Sequence, residues 1–249
     1  MPPLISIITP TRNVGKVLEK SILSVINQDF ENFEYIIIDS VSTDNSSDII
    51  NKYKNYIDSY ICERDHGIYD AMNKGTNIAR GEWIYFLGAD DILCPNILSK
   101  ISKILKNKNT IYYGNVYWDN LNQVYNGPFD QFKLAKQNIC HQSIFYPRSA
   151  FTKYTYSLMF PVFGDYELNL RLFSDPEFQF EYFPYIVAKF SLGGTSSALI
   201  DERFEAHKRE LLKKYYPKSV IFYLFFDFLY WQINWKFSGL MKRIKQLME

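Results

Sequence analysis

The sequence predicts an α/β fold, a doubly wound, mainly parallel sheet with helices on both faces. Three observations carry this reading. Short apolar runs rich in β-branched residues alternate with stretches whose apolar residues recur at helical spacing. The strand-like runs are apolar almost throughout, as parallel strands covered on both faces require. Alternation of this length implies right-handed strand-helix-strand crossovers.

In chain order, residues 4–9 (Leu-Ile-Ser-Ile-Ile-Thr) and 34–39 (Glu-Tyr-Ile-Ile-Ile-Asp) read as the first two strands. Between them, 16–27 places Val17, Leu18, Ile22, Val25 and Ile26 on one helix face. A second helix at 45–55 has Asp44 or Asn45 as N-cap and Ile49, Ile50 and Tyr53 as its inner stripe. A strand at 58–62 and a helix at 68–79 form another unit, closed by Gly81. Residues 84–91, Ile-Tyr-Phe-Leu-Gly-Ala-Asp-Asp, read as a buried strand that stops on Asp90 and Asp91, ahead of a helix from about Asn96 to Leu105. After about residue 110 the pattern changes: 112–118 and 178–190 read as longer strands, with a helix near 166–173. This second half reads as an elaboration of the same domain, so the expected organisation is one domain over 1–200 and a helical tail over 201–249.

Composition narrows the function classes. A net charge of +1 with 22% charged residues and no basic stripe along the body argues against nucleic-acid binding. Three widely spaced cysteines, Cys62, Cys94 and Cys140, form no Cys-x-x-Cys pair, so reduced thiols are expected rather than a disulfide framework or structural zinc. The first ten residues lack a basic region and a cleavage site, and read as a strand rather than a secretory signal or an anchor. Aromatic content is high, with 20 Tyr and 20 Phe, and much of it falls after residue 110.

Acids recur where strands end. Asp39 closes the second strand, the third runs into Glu63 and Asp65, and the fourth closes on Asp90 and Asp91. In open α/β sheets ligands sit outside the carboxyl ends of the strands. Neighbouring carboxylates repel, and a hard cation bound through their oxygens relieves that repulsion, so Asp90 and Asp91 are candidates for an Mg²⁺ or Mn²⁺ site that holds a diphosphate. A capped turn is the plain alternative for an isolated Asp-Asp pair.

Five segments in order carry a resemblance. They are Ile-Ile-Thr-Pro-Thr-Arg-Asn at 7–13, the Asp39 segment, Glu-Arg-Asp-His-Gly-Ile-Tyr-Asp-Ala-Met-Asn-Lys-Gly at 63–75, Ala-Arg-Gly-Glu-Trp-Ile-Tyr-Phe-Leu-Gly-Ala-Asp-Asp at 79–91, and Gly-Asp-Tyr-Glu-Leu-Asn-Leu-Arg at 164–171. Together, over residues 4 to about 195, they resemble the motifs of family 2 glycosyltransferases, inverting enzymes with the GT-A fold. The resemblance implies a nucleotide-sugar donor, most simply a uridine diphosphate sugar, and a glycan or lipid-linked glycan acceptor. It implies that Asp39 accepts a hydrogen bond from the nucleotide base with Thr9, Pro10 and Arg12 nearby, and that Asp65 lies on the donor side. Asp90 and Asp91 fall at the family's Asp-x-Asp position, contacting ribose and metal; Gly88 stands where the stricter motif has its first acid. Asp165 falls at the general-base position, with helix capping as a compatible role. His141, in Cys-His-Gln-Ser, resembles a His-Gln pair of this family and is assigned to the acceptor side. Lys74 faces the diphosphate or is a solvated surface group.

Processive relatives carry a Gln-x-x-Arg-Trp motif and several spanning helices, and neither occurs here. Two other classes fit the residues less well. A sugar nucleotidyltransferase needs a Gly-rich basic loop after the first strand, which Thr-Pro-Thr-Arg-Asn-Val-Gly at 9–15 does not supply; a non-catalytic binding module has no need of Asp165. Residues 219–241 combine Phe222, Phe225, Phe226, Trp231 and Trp235 with a basic end at Lys242, Arg243 and Lys245. Asp227 interrupts the run, at a cost of about 2.5–3.5 kcal/mol for a central acid in a spanning helix. An amphipathic helix on the membrane surface is expected, which places the protein peripherally on the inner face of the cytoplasmic membrane.

Overall fold

The computed structural model describes residues 2–125, 127–190, 201–227 and 230. Its first half follows the predicted order: β1 (Ile5–Thr11), α1 (Gly15–Ile26), β2 (Phe33–Asp39), α2 (Ser46–Lys52), β3 (Ser59–Cys62), α3 (Ile68–Ile78) and β4 (Trp83–Phe86). The second half runs β5 (Ile92–Leu93), α4 (Ile97–Ser102), β6 (Thr110–Trp118), β7 (Gln123–Tyr125), α5 (Gln131–Lys136), β8 (Ile144–Pro147), α6 (Arg148–Lys153), α7 (Gly164–Ser174), β9 (Gln179–Phe190) and α8 (Glu202–Tyr215).

The described strands form one sheet in the order β3-β2-β1-β4-β8-β6-β9-β5, with β7 paired to β6. From β3 to β4 every pairing is parallel. Beyond β4 the sheet is mixed: β8 runs antiparallel to both β4 and β6, whereas β6 and β9 are parallel. The parallel half therefore aligns its carboxyl ends on one edge, and β8 brings the chain back from the opposite direction beside them.

Alternation along the strands divides the core into two layers. Ile5, Ile7, Tyr35, Ile37, Trp83 and Tyr85 pack with Leu18, Ile22 and Val25 of α1 on one face. Ile8, Ile36, Ile38, Ile84 and Phe86 pack with Met72 of α3 and Leu168 and Leu172 of α7 on the other. Each fully buried aliphatic side chain of β1 and β2 contributes roughly 1.5–3 kcal/mol, so the strands that carry Thr11 and Asp39 are the firmly held part of the sheet.

Two local expectations are corrected. The run 84–91 is not one strand: β4 ends at Phe86, Leu87 adds one more ladder bond to Ile8, and a turn closed by Asp91 N–H to the Gly88 carbonyl follows. Asp90 and Asp91 therefore sit in a loop, because Gly88 lets the chain turn where an apolar pattern alone reads as continued strand. The helix expected over 45–55 stops at Lys52 and tightens into a 3-10 turn over Lys54–Tyr56. Its start is held by Asp44, whose carboxylate accepts from Ser46 N–H and, across to α1, from Gly15 N–H.

The boundary expected at residue 200 lies outside the described residues. Beyond it, α8 packs on α7, with Phe204 fully buried against Phe163 and Tyr166. Asp201 caps α8 through Phe204 N–H and also accepts from Val162 and Phe163 N–H just ahead of α7.

Candidate active site

The expected donor end is built from three loops at the carboxyl edge of the parallel strands. Asp39, the last residue of β2, is fully buried. Its Oδ2 accepts from Thr11 Oγ1 at 2.8 Å and Ser42 Oγ at 2.6 Å, and its Oδ1 from Ser42 N–H at 2.7 Å. Cys62 Sγ lies 3.5 Å from Oδ1. These bonds hold a tight turn in which Val41 takes φ 52°, a left-handed conformation costly for a β-branched residue. The neighbouring loop is laced to it, with Asn13 N–H donating to Ser42 Oγ and Asn13 Oδ1 accepting from Thr43 N–H.

The other residues expected on the donor side separate by environment. Thr9 is fully buried, accepting from the Tyr35 hydroxyl, and it is Thr11 rather than Thr9 that reaches Asp39. Pro10 is buried within β1, paired to Ile38, and Arg12 is exposed just beyond the strand. Asp65 accepts from Gly67 N–H in the turn that leads into α3. Lys74 is ion-paired to Glu63 at 2.9 Å and donates to the Arg64 carbonyl, so it braces this loop.

Asp90 and Asp91 differ sharply. Asp91 is 1% exposed and its Oδ2 accepts from Gln142 Nε2 at 2.8 Å. Asp90 is half-buried and makes no hydrogen bond among the described residues. Gly88 is required between them, since a Cβ there would fall onto the Asp91 carboxylate and within 3.2 Å of Asp90 Oδ1. Among the described residues no group of three or more His, Cys, Asp or Glu side chains is disposed to hold a cation alone. Mg²⁺ commonly takes one or two carboxylates and completes its shell with water and substrate phosphate oxygens, and the oxygen donors of this pair fit that mode, with Asp90 the more open ligand.

The expected acceptor end lies at the start of α7. Asp165, 7% exposed, sits in the first helical turn, where an acid suits the helix dipole. Its Oδ1 accepts from Tyr166 N–H at 2.8 Å and lies 3.0 Å from the Tyr69 hydroxyl, which also reaches the Val162 carbonyl at 2.6 Å. Burial, and then the Asp165 charge, push the Tyr69 phenol well above its ordinary pKa, so it stays a donor. Gly164 lets α7 approach this ring, because a Cβ there would stand 2.7 Å from Tyr69 Cδ2. Asp165 Oδ2 accepts from Asn138 Nδ2 at 2.9 Å. Asn138 is itself held by Asn169, which Tyr146 holds in turn. Thus Tyr69 of α3, Asn138 ahead of β8 and α7 converge on one carboxylate.

A single 3-10 turn, His141–Ser143, joins the two ends. Gln142 donates to Asp91, accepts from Cys140 Sγ at 2.7 Å, and its carbonyl accepts from the Tyr85 hydroxyl. The adjacent His141 places Nδ1 3.4 Å from Asp165 Oδ2. Sequence reasoning named His141 but missed Gln142, which the same His-Gln pair displays. It also missed Tyr69, Asn138 and Ser42, for which no local pattern signals proximity to an acid.

This architecture matches solved enzymes. Staphylococcus aureus TarS 1–349 in complex with UDP-GlcNAc superposes with a TM-score of 0.66 over 86% of this chain and 71% of that one, at 17% identity. The mannosyltransferase PcManGT from Pyrobaculum calidifontis, in complex with GDP-Man and Mn²⁺, gives 0.66 over 86% and 64%, at 15% identity. The fold is therefore GT-A. The family model for glycosyl transferase family 2 matches residues 6–166, and the chain belongs to that family. A PGL/p-HBAD biosynthesis glycosyltransferase of Mycobacterium bovis is 38% identical over 211 residues, 81% of this chain and 82% of the relative. TuaG of Bacillus subtilis, a putative teichuronic acid biosynthesis glycosyltransferase, is 36% identical over 97 residues, 36% of each chain. The protein is a glycosyltransferase.

Proposed function

We propose that this protein transfers one sugar, with inversion, from a nucleotide sugar, a uridine diphosphate sugar in the first instance, to a hydroxyl of a glycan acceptor in polysaccharide biosynthesis. The observation that carries the reading is the His141–Ser143 turn, which grips Asp91 with one residue and sets the next beside Asp165. Inverting displacement needs both ends at once: stabilisation of the departing diphosphate on one side of the anomeric carbon and removal of the acceptor proton on the other.

Asp39 would orient the nucleotide base, with Thr9, Pro10, Arg12 and Asp65 around the same loops. Asp90 and Asp91 would hold Mn²⁺ or Mg²⁺, which supplies Lewis-acid stabilisation of negative charge on the leaving group. Asp165, at the other end of the turn, would take the acceptor proton as general base. The relatives in PGL/p-HBAD and teichuronic acid biosynthesis support a polysaccharide product, and PcManGT with its Mn²⁺ supports a divalent cation.

The described part of the tail favours a membrane-surface location. Residues 218–227 are helical, with Val220 buried against the body. Asp227 pairs with Lys136 at 2.8 Å, which turns the acid toward protein. The opposite face exposes Phe222 at 64%, Phe225 at 56% and Phe226 at 49%. Trp231, Trp235, Lys242, Arg243 and Lys245 lie outside the described residues. An aromatic face of this kind suits the headgroup boundary of the cytoplasmic leaflet and a lipid-linked acceptor. Among the described residues no helix is long and apolar enough to cross a membrane.

Incubation with a panel of nucleotide sugars and Mn²⁺ tests the activity: slow hydrolysis of one donor is expected, lost in Asp91→Ala. Asp165→Asn should keep donor affinity and lose transfer, whereas transfer at the wild-type rate would remove Asp165 from the chemistry. Flotation with anionic liposomes should fail when 219–249 is deleted, and unchanged flotation would remove the membrane role.

A further inference from the structure

We infer that Lys208, with Lys136 beside it, grips the phosphate of a lipid-linked acceptor between the exposed aromatic face of the tail and Asp165, an assignment that rests on the glycosyl-transfer and membrane-surface readings above. It adds what the acceptor carries and where it is held.

Lys208 of α8 is a partly buried cation without a counter-ion. Its Nζ lies over the rings of Tyr166 at 5.2 Å and Phe204 at 6.0 Å, and it donates to the Lys136 carbonyl at 3.5 Å. No carboxylate stands within ion-pairing distance among the described residues; Glu205, one turn back on α8, acts only at longer range. Burial outweighs that acid and lowers the Lys208 pKa, as for a charge that water solvates poorly. Lysines are seldom withdrawn from water unless paired. Lys74, also partly buried, is matched by Glu63 at 2.9 Å and Asp70 at 3.7 Å. The two rings return part of the lost solvation of Lys208, and an anion would return the rest.

The neighbours of Lys208 say which anion. Lys136, the last residue of α5, carries its Nζ 5.1 Å from the Tyr223 ring, and Tyr223 packs on Phe132 at 4.9 Å. The exposed Phe222 and Phe225 therefore begin beside this spot. Lys136 is paired to Asp227 through side chains 39% and 41% exposed. A solvent-open pair of this kind is weak, so Lys136 can share an incoming anion.

On the other side lies Asp165. Both groups that hold Lys208 belong to segments that hold that carboxylate: Tyr166 N–H donates to its Oδ1, and Asn138, two residues beyond Lys136 across the extended Gln137, donates to its Oδ2. The contacts thus run from Tyr223 through Lys136, Lys208 and Tyr166 to Asp165. A free anion has no use for the aromatic face, and a neutral lipid has none for the cation; a phosphate on a lipid uses both. Two extended residues span about 7 Å, so the sugar whose hydroxyl reaches Asp165 lies near that phosphate. The acceptor is a short glycan.

Vesicle flotation of the full-length protein tests the site, using phosphatidylcholine vesicles that carry either a polyprenyl diphosphate or phosphatidylglycerol at equal charge. EDTA is present, so that no metal-held diphosphate contributes. Wild type is expected to bind the diphosphate vesicles about tenfold more tightly, Lys208→Gln to lose that preference, and Lys208→Arg to keep it. Equal preference in Lys208→Gln and wild type, or none in wild type, overturns the site and leaves the membrane reading standing. Wild type that floats on neither vesicle overturns both. Inorganic pyrophosphate that strips the protein from the vesicles at the lipid's own concentration would show a site for the free anion and overturn the lipid assignment. UDP binding in Mn²⁺ reports whether each variant keeps a folded donor end. Failure of the wild-type protein to bind any nucleotide sugar would instead sink the glycosyl-transfer reading itself.

Discussion

The two ends of the site are built differently. At the donor end, Asp39 is held by Thr11 and Ser42, residues of its own and the neighbouring parallel strand loops, and the sheet's alternation alone brings them together. At the acceptor end, Asp165 is held by Tyr69 and Asn138, 96 and 27 residues away in the chain, through packing of α3 and α7 on the mixed half of the sheet. Local chain geometry thus secures the residues proposed for nucleotide recognition, whereas long-range packing secures the acid proposed for proton transfer.

The largest effect that would break this division is expected from Gly88→Asp. It restores the acid of the stricter motif, yet its side chain must occupy the space of the Asp91 carboxylate and break the bond to Gln142. Donor hydrolysis should fall by about 100-fold, in line with the loss of a charge-assisted contact of roughly 1.5–3 kcal/mol together with steric displacement. Calorimetry with UDP and Mn²⁺ should show weakened binding; gain of activity would mean that the turn adapts freely.

A smaller change sharpens the contrast. Asn138→Leu removes one donor from Asp165 and leaves the donor loops untouched. Transfer should drop roughly tenfold to 100-fold, the equivalent of one hydrogen bond to a charged group, while UDP affinity stays at the wild-type value. A parallel loss of UDP affinity would show that the two ends are not separable.

The smallest effect on activity is expected at Glu34, at the far edge of the parallel strands. Burial raises its carboxyl pKa, but donors from Ser6 and from the Arg80 backbone and guanidinium outweigh this and hold it below the ordinary value. An acid so lowered stabilises the fold above the ordinary carboxylate range, and that contribution is lost as pH falls through the lowered folded value. Glu34→Gln should therefore reduce the urea midpoint at pH 7, with the gap to wild type closing in acid, and leave transfer per folded molecule unchanged. A loss of specific activity would tie this edge to the site.

Much of the donor half was legible in the chain. Strands, helices and the Asp39 edge follow from period and composition, because parallel strands buried on both faces write nearly continuous apolar runs. The loop at Asp90 and Asp91 was misread as strand end, since Leu87 and Ala89 are buried although they lie in a turn. At the acceptor end motif resemblance names His141 and Asp165, but no local pattern sets Tyr69, Asn138 and Gln142 apart. Nothing in a tyrosine of α3 announces that it will meet an acid of α7.

By itself the sequence determined the α/β class, the order of elements and the acids that recur at strand ends, because these depend on short-range periodicity and turn chemistry. Only the tertiary structure decided that Asp91 is buried and braced while Asp90 stays open, and that His141 lies against Asp165 with its second nitrogen unpaired. Those facts depend on which side chains fill the space between elements distant in the chain. Close packing sets that, and no local pattern encodes it.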